Sequence, residues 1–564
     1  MEKLFPSAAR WLLLIVIGVI VYCASLGHGF SPYDDTAYIT ENRYVNQGLS
    51  LEGIKWAFLG GGAVESLPHA GVQNLWHPLT WLSHMLDVQA FGVEQAGGHH
   101  AVSVVLYLFT ALLVLWSMSL LLKNPWMGFL VALLWMVHPL KVESVAWLSE
   151  RKDLLSGLFF WAALGCAIKS FYSESKLWYG LGYFAFTLAL LSKPSVVILP
   201  ALIVLVEWYV RERNASFDLV KATKRWGLWF ITSGVVALIT VKMQAGGSHQ
   251  FFMAQSSVVD RIFMAGYGLG FYLQRIIIPL NLNFEYDYPS LPRTVYGLSW
   301  ALVVIAGILT WKFRERARAW FLGFCWFMIC WLPASGLMYV GSSFTADRYM
   351  YLAFAGLCIP LVVFLERFPR TKTFIGIAPI VLLWSFLSWK QVGVWKDGYT
   401  LFKHATMAQP TLSTGWINLG VTYQKRGESD KAEVCYLKAA EVDPNAYQAW
   451  GNIGNTRKKR GDIEGGVRAY ERALEIYPTF TPALYNLGVM KKDQGLLEEA
   501  RELFARGKSD LRMLFLLCDV ELKLGNYKAA EEALSLIEQK GFNTPEITKQ
   551  IASARAYIES RKGR

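Results

Sequence analysis

The chain has 564 residues, a hydrophobic fraction of 54%, an aromatic fraction of 15% and a mean hydropathy of +0.30, which is too apolar for an ordinary soluble protein of this length. Its net charge of +12 and pI near 9.2 do not argue for nucleic acid, because the basic residues fall in short clusters between apolar segments, the pattern that sets membrane topology. Seven cysteines with no CxxC pair argue against a disulfide framework and against a cysteine zinc site.

In chain order, the first apolar run, Trp11 to Leu26, is long enough for a helix of ~17 to 20 residues to cross a bilayer. It has no small-residue cleavage site, so it reads as a retained anchor with a cytoplasmic N-terminus. Tyr33-Asp34-Asp35-Thr36-Ala37-Tyr38 follows directly. Two acids where the chain leaves the membrane read as a general base and its partner, against the plainer reading of solvated turn residues. The second acid could orient the first, raise its pKa or bind a metal, and the spacing does not separate these roles. The loop 31–100 carries more acids than bases and is assigned to the outer side, with an amphipathic helix starting at Pro78. His69, His77, His84, His99 and His100 crowd this loop at spacings that match no zinc motif, so they read as hydrogen-bonding residues.

Apolar segments follow near 101–122, 126–138, 154–171, 178–192, 195–210, 226–241, 296–311, 319–335, 348–365 and 372–388. With the first, they predict about eleven spans. Three basic loops are assigned to the cytoplasm: Arg211, Arg213, Lys221, Lys224 and Arg225; Lys312, Arg314, Arg316 and Arg318; Arg367, Arg370 and Lys372. That assignment requires 262–280, which carries Gln274 and Arg275 and ends in Pro279, to lie on the outer face without crossing.

On this topology Arg151, Lys152, Lys193 and Arg348 gather outside, where positive-inside bias does not explain them. For any one of them, snorkelling or pairing with a nearby acid is the plainer account. Four together, opposite Asp34 and Asp35, predict a site that binds a donor phosphate. His77, His138, Glu143, Asp153, Asp347 and Tyr349 are expected to line it. A sugar on a lipid phosphate has an anionic leaving group that needs no proton. Cations to hold the phosphate and one carboxylate to accept the acceptor hydroxyl's proton therefore suffice.

Trp76-His77-Pro78-Leu79-Thr80-Trp81-Leu82-Ser83-His84, Gly98-His99-His100, the run from His138 to Asp153, Ser192-Lys193-Pro194 and Ala346-Asp347-Arg348-Tyr349-Met350-Tyr351-Leu352 resemble the transmembrane and tetratricopeptide-containing O-mannosyltransferases. The resemblance covers nearly the whole chain and suggests a bacterial relative. It implies a GT-C type fold, a polyprenyl-phosphate sugar donor, inverting transfer to Ser or Thr of a protein on the outer side, and an acid of the first outer loop, Asp34 or Asp35, as base. A divalent cation at Asp34 and Asp35 is left open by the same resemblance. One departure is that members of that family usually carry Asn and then His where this chain has Ser103 and Tyr107.

From Trp416 the composition changes. Trp416, Trp450 and Leu484 recur every 34 residues, as do Asn418, Asn452 and Asn486, and Gly427, Gly461 and Gly495; this is the tetratricopeptide period. The asparagine ladder is placed in the concave groove, where amides can both donate to and accept from an extended acceptor peptide. The predicted fold class is thus all-α: a polytopic membrane bundle over 1–390, a juxtamembrane linker over 391–412 and a tetratricopeptide solenoid over 413–564. The expected setting is the bacterial inner membrane with the repeats periplasmic, and the expected partners are membrane lipids, a lipid-linked sugar and an acceptor protein. Two other readings stand beside this one: a lipid-linked sugar transferase acting on a glycan or lipid, and a non-catalytic scaffold for secretion or pilus assembly.

Overall fold

A computed structural model describes residues 7–59, 76–211, 216–244, 257–287, 293–337, 345–508, 510–540 and 544–562; His69 and Arg213 lie outside them. Among the described residues every regular element is helical. The chain forms an all-α membrane bundle followed by a tetratricopeptide solenoid. It divides into two compact units, Met1–Gln409 and Pro410–Arg564.

The first unit comprises α1 (Ser7–Tyr22), α2 (Leu51–Leu59), α3 (Pro78–Phe91), α4 (Ala96–Leu121), α5 (Pro125–Val137), α6 (Val142–Ala146), α7 (Arg151–Ser173), α8 (Lys176–Ser192), α9 (Leu199–Val210), α10 (Leu219–Arg225), α11 (Gly227–Gln244), α12 (Val258–Ile277), α13 (Arg293–Lys312), α14 (Arg318–Trp331), α15 (Met350–Leu365), α16 (Arg370–Val394) and α17 (Gly398–Ala408). Each segment read as a span is helical. By length and composition five described helices can cross a membrane alone, and seven can if each of two bent pairs counts as one span; three shorter apolar helices accompany them. α12, the segment expected not to cross, buries Ala265, Leu269, Phe271 and Tyr272 and exposes Val258, Val259 and Ile262, so apolar residues lie on its exposed side too. The first two basic loops share one end of the unit, since Arg318 donates to the Arg211 carbonyl at 2.9 Å and Arg211 pairs with Glu315 at 2.7 Å.

Prolines shape the backbone around the polar residues. α5 stops at Val137 because Pro139 can donate no helical N–H and forces His138 into an extended conformation. The chain then bends by 70° into the short helix that carries Glu143. Pro194 likewise ends α8 at Ser192 and leaves Lys193 extended. The region read as a linker is mostly structured: α16 continues to Val394, and α17 packs on the first unit through His404, 2.9 Å from the Leu282 carbonyl oxygen.

The second unit is a run of antiparallel helix pairs: α18 (Ser413–Lys425), α19 (Ser429–Val442), α20 (Tyr447–Lys459), α21 (Ile463–Ile476), α22 (Thr481–Asp493), α23 (Leu497–Arg506), α24 (Leu511–Lys523), α25 (Tyr527–Gln539) and a last helix, α26 (Pro545–Lys562). Its periodic glycines have two separate jobs. Gly427, Gly461, Gly495 and Gly525 turn the chain at φ between +78° and +83°, which a side chain disfavours. Gly420, Gly454 and Gly488 let the paired helix approach, because a Cβ there would meet the rings of Tyr436, Tyr470 and Phe504 at 2.5 to 2.6 Å.

Candidate active site

The residues from His138 to Asp153 are buried except for Lys152, which is half-buried. Glu150 is 1% exposed and lies at the centre of three of the four predicted cations. Its carboxylate faces Lys152 Nζ at 3.0 Å, Arg348 Nε at 3.3 Å and Lys193 Nζ at 3.6 Å. Each cation has a second anchor. Arg348 pairs with Glu143, whose other oxygen accepts the Arg348 backbone N–H at 2.8 Å. Lys193 pairs with Asp153, and Lys152 donates to the Ser149 carbonyl at 3.0 Å. Trp147 forms an aromatic wall, with the Arg348 guanidinium 5.4 Å and the Lys152 ammonium 5.9 Å from its ring centroid.

Asp34 and Asp35 have different surroundings. Asp35 is 1% exposed. Its carboxylate accepts the Ser149 N–H at 2.9 Å, the Ser149 hydroxyl at 2.6 Å and the Ser31 N–H at 2.8 Å. It ties the loop after α1 to the turn that carries Glu150, and protein donors occupy its oxygens, so the two acids do not present a shared ligand set. The Asp34 carboxylate is half-buried and has no hydrogen-bond donor among the described residues. Burial raises its pKa, the charges of Lys152 and Arg348 oppose that rise, and Glu150 adds to it. Asp35 is pushed up to about 6, mainly by burial. Tyr38 and Tyr33 flank the pair: the Tyr38 hydroxyl is 3.3 Å from Lys152 Nζ, and the Tyr33 ring packs on Trp147 and Phe284.

Of the other predicted residues, Asp347 accepts the Tyr286 hydroxyl at 2.8 Å, and Tyr349 lies under the Arg348 guanidinium at 5.3 Å. His77 stacks on Tyr38 and Trp81, with ring centroids at 5.7 and 4.7 Å, so it supports Tyr38 from behind. Two expectations are corrected. Arg151 turns away from Lys152, and its guanidinium pairs with Asp87 at 2.8 Å and donates to the Ser83 hydroxyl, the Ser103 hydroxyl and the His99 carbonyl. Adjacent residues of a helix point about 100° apart, and with its guanidinium engaged by these partners Arg151 does not join Lys152 around Glu150. His138 is fully buried between Phe354 and Trp384, each 4.4 Å away, and fixes the backbone of Leu140 and Ile276. It lines packed core.

In the solenoid, the Asn418 and Asn486 amides donate back to the Thr414 and Pro482 carbonyls at 3.0 Å, and Asn486 also reaches Asn455 at 3.1 Å. Asn418, Asn452 and Asn486 are all half-buried. Sequence reasoning allowed the cations a nearby acid as partner without singling out Glu150, and gave no role to Trp147, Tyr38 or Tyr286. The signal for Glu150 was an acid directly before the adjacent cations Arg151 and Lys152.

Tetratricopeptide-repeat models match residues 413–446 and 447–480. Protein O-mannosyl-transferase F38B6.6 of Caenorhabditis elegans is 25% identical over 458 residues, covering 77% of this chain and 63% of the worm protein. Human protein O-mannosyl-transferase TMTC4 is 23% identical over 499 residues, covering 77% of this chain and 67% of its own length. Human TMTC1 is 24% identical over 502 residues, covering 78% and 56%. Its homologues are TMTC-type protein O-mannosyl-transferases. The chain spans less than two thirds of the worm protein's length. Ser103 and Tyr107 are both bonded in the interior, Ser103 to Arg151 and Tyr107 to the Met136 carbonyl at 2.7 Å.

Proposed function

We propose that this chain is a membrane glycosyltransferase that moves a sugar, mannose in the first instance, from a polyprenyl phosphate to Ser or Thr hydroxyls of a protein. The observation that carries the reading is the half-buried, unclaimed Asp34 carboxylate whose charge environment is set by Lys152, Arg348 and Glu150. In the proposed step Asp34 takes the proton of the acceptor hydroxyl. The hydroxyl oxygen forms its bond to the anomeric carbon from the face opposite the phosphate, so configuration inverts. The bond from that carbon to the phosphate oxygen breaks, and its electron pair leaves with the lipid phosphate, held by Lys152, Lys193 and Arg348. Asp35 holds the loop in place, and the rest of the site orients the cations. The three homologues' names and the tetratricopeptide matches support a protein acceptor bound by the repeats. In this proposal the basic loops face the cytoplasm and the repeats the periplasm of a bacterial inner membrane.

The test is transfer of labelled mannose from synthetic polyprenyl-phosphate mannose to Ser/Thr peptides by the full chain in proteoliposomes. The expected result is product with an inverted anomeric centre, formed with a raised donor KM in Lys193→Ala and Arg348→Ala. Label appearing only on glycan or lipid acceptors would select the competing transferase reading. No transfer from any lipid-phosphate sugar would remove the enzyme reading.

A further inference from the structure

A second cluster of ligating side chains lies outside the proposed transfer site. α3 presents His84 and Asp87 on one helical face, three residues apart, and the first turn of α4 brings His99 against them. One ligand atom from each residue lies within 4.8 Å of the others. All three side chains are buried, with His84 and His99 at 0% exposure and Asp87 at 4%.

Two features of this cluster ask for a cation. Neither ring nitrogen of His84 has a hydrogen-bond partner among the described residues, and a buried polar atom left unpaired is costly. His99 Nε2 is 3.3 Å from the Gly92 carbonyl oxygen, which can only accept, so Nε2 carries the ring proton. With His99 neutral, its Nδ1 lone pair faces an Asp87 carboxylate oxygen at 3.4 Å, one acceptor against another, a contact that only a proton or a metal cation between them relieves. Arg151 does not relieve this contact. Its guanidinium meets Asp87 at 2.8 Å, and its other hydrogen bonds go to Ser83, Ser103 and the His99 carbonyl rather than to an imidazole nitrogen.

We infer that His84, Asp87 and His99 form a transition-metal site of the zinc type, which staples α3 to the start of α4. Two imidazoles and one carboxylate match the nitrogen and oxygen preferences of Zn²⁺. They leave one position of a tetrahedral ion for water or hydroxide, and a hydroxide there offsets the positive charge beside Arg151. Arg151, bound to the carboxylate ligand, is the outer partner that fixes its orientation.

The experiment uses the full chain in nanodiscs, stripped with a chelator, equilibrated with Zn²⁺ and desalted, with metal measured by mass spectrometry and unfolding followed by a thermal melt. The inference expects about one zinc per chain and a higher melting temperature than the stripped protein. His84→Phe removes no protein hydrogen bond and should bring zinc close to zero while melting like the stripped wild type. Co²⁺ in place of Zn²⁺ should give visible absorption in the wild type that His84→Phe and His99→Ala both lack. Wild-type zinc below about a tenth of an equivalent would overturn the site, as would equal zinc in wild type and both variants. The wild-type measurement decides the first point even where a variant fails to fold. No readout involves sugar transfer, so the result is independent of the proposed function.

Discussion

The membrane unit and the repeat unit handle charge in opposite ways. Around Glu150, three cations and several acids sit in buried or half-buried positions, and one carboxylate serves three partners. In the solenoid, ion pairs such as Lys431–Glu428 and Arg460–Asp430 lie on the surface, with side-chain exposures of 63% and 35%, and of 38% and 95%. Surface pairs of that kind contribute ~0 to 1 kcal/mol each. Buried charges cost several kcal/mol apiece to desolvate, so a cluster of them is retained for what it does. The comparison separates a region where charges are buried against their desolvation cost from one where ions stay in contact with water.

The largest stability effect should come from Glu150→Gln. It leaves three cations facing one another without their shared counter-ion, and breaking a buried pair costs ~3 to 5 kcal/mol. A fall in the denaturation midpoint together with a weaker response to donor lipid would confirm it; an unchanged midpoint would show that the cations do not depend on this acid. Next is Asp35→Asn. Its new amide would face the Ser31 N–H, donor against donor, at a cost of about 1 to 3 kcal/mol, with transfer reduced far less than by loss of Asp34.

The pH dependence sharpens the contrast between the two aspartates. A general base works in its ionised form, so the rate is present above its pKa and is lost as pH falls through it. Because Asp34 is raised by burial, the acid limb of the rate profile should lie above the ordinary carboxylate range. Lys152→Met removes a charge that holds this pKa down, so the limb should move to higher pH. A limb that stays in place would detach Lys152 from Asp34. The smallest effect is expected in the repeats, where Arg460→Ala should change stability by less than ~1 kcal/mol, read from chemical denaturation of the second unit's transition.

The solenoid was fully legible, because its period repeats a local packing requirement: glycine turns at positive φ and glycines beneath aromatic rings recur at fixed intervals. The membrane helices were legible from hydropathy; the breaks at Pro139 and Pro194 were not drawn from the sequence, although proline chemistry accounts for them. The direction of single side chains was not. Arg151 and Lys152 are neighbours with the same charge, yet the start of α7 aims one at Asp87 and the other at Glu150. Asp34 and Asp35 are equally indistinguishable by spacing, and their environments diverge only through contacts with Ser31 and with Ser149, more than a hundred residues away. The histidines of the segment 31–100 matched no motif because the cluster of His84, Asp87 and His99 joins two helices.

The most direct test is single-turnover transfer with donor saturating, comparing wild type, Asp34→Asn and Asp35→Asn, with donor affinity measured on the same samples. The account predicts that Asp34→Asn slows transfer by ~10²- to 10⁴-fold while binding donor within a few-fold of wild type, and that Asp35→Asn keeps most of the rate per folded molecule. Transfer at wild-type speed by Asp34→Asn would contradict it.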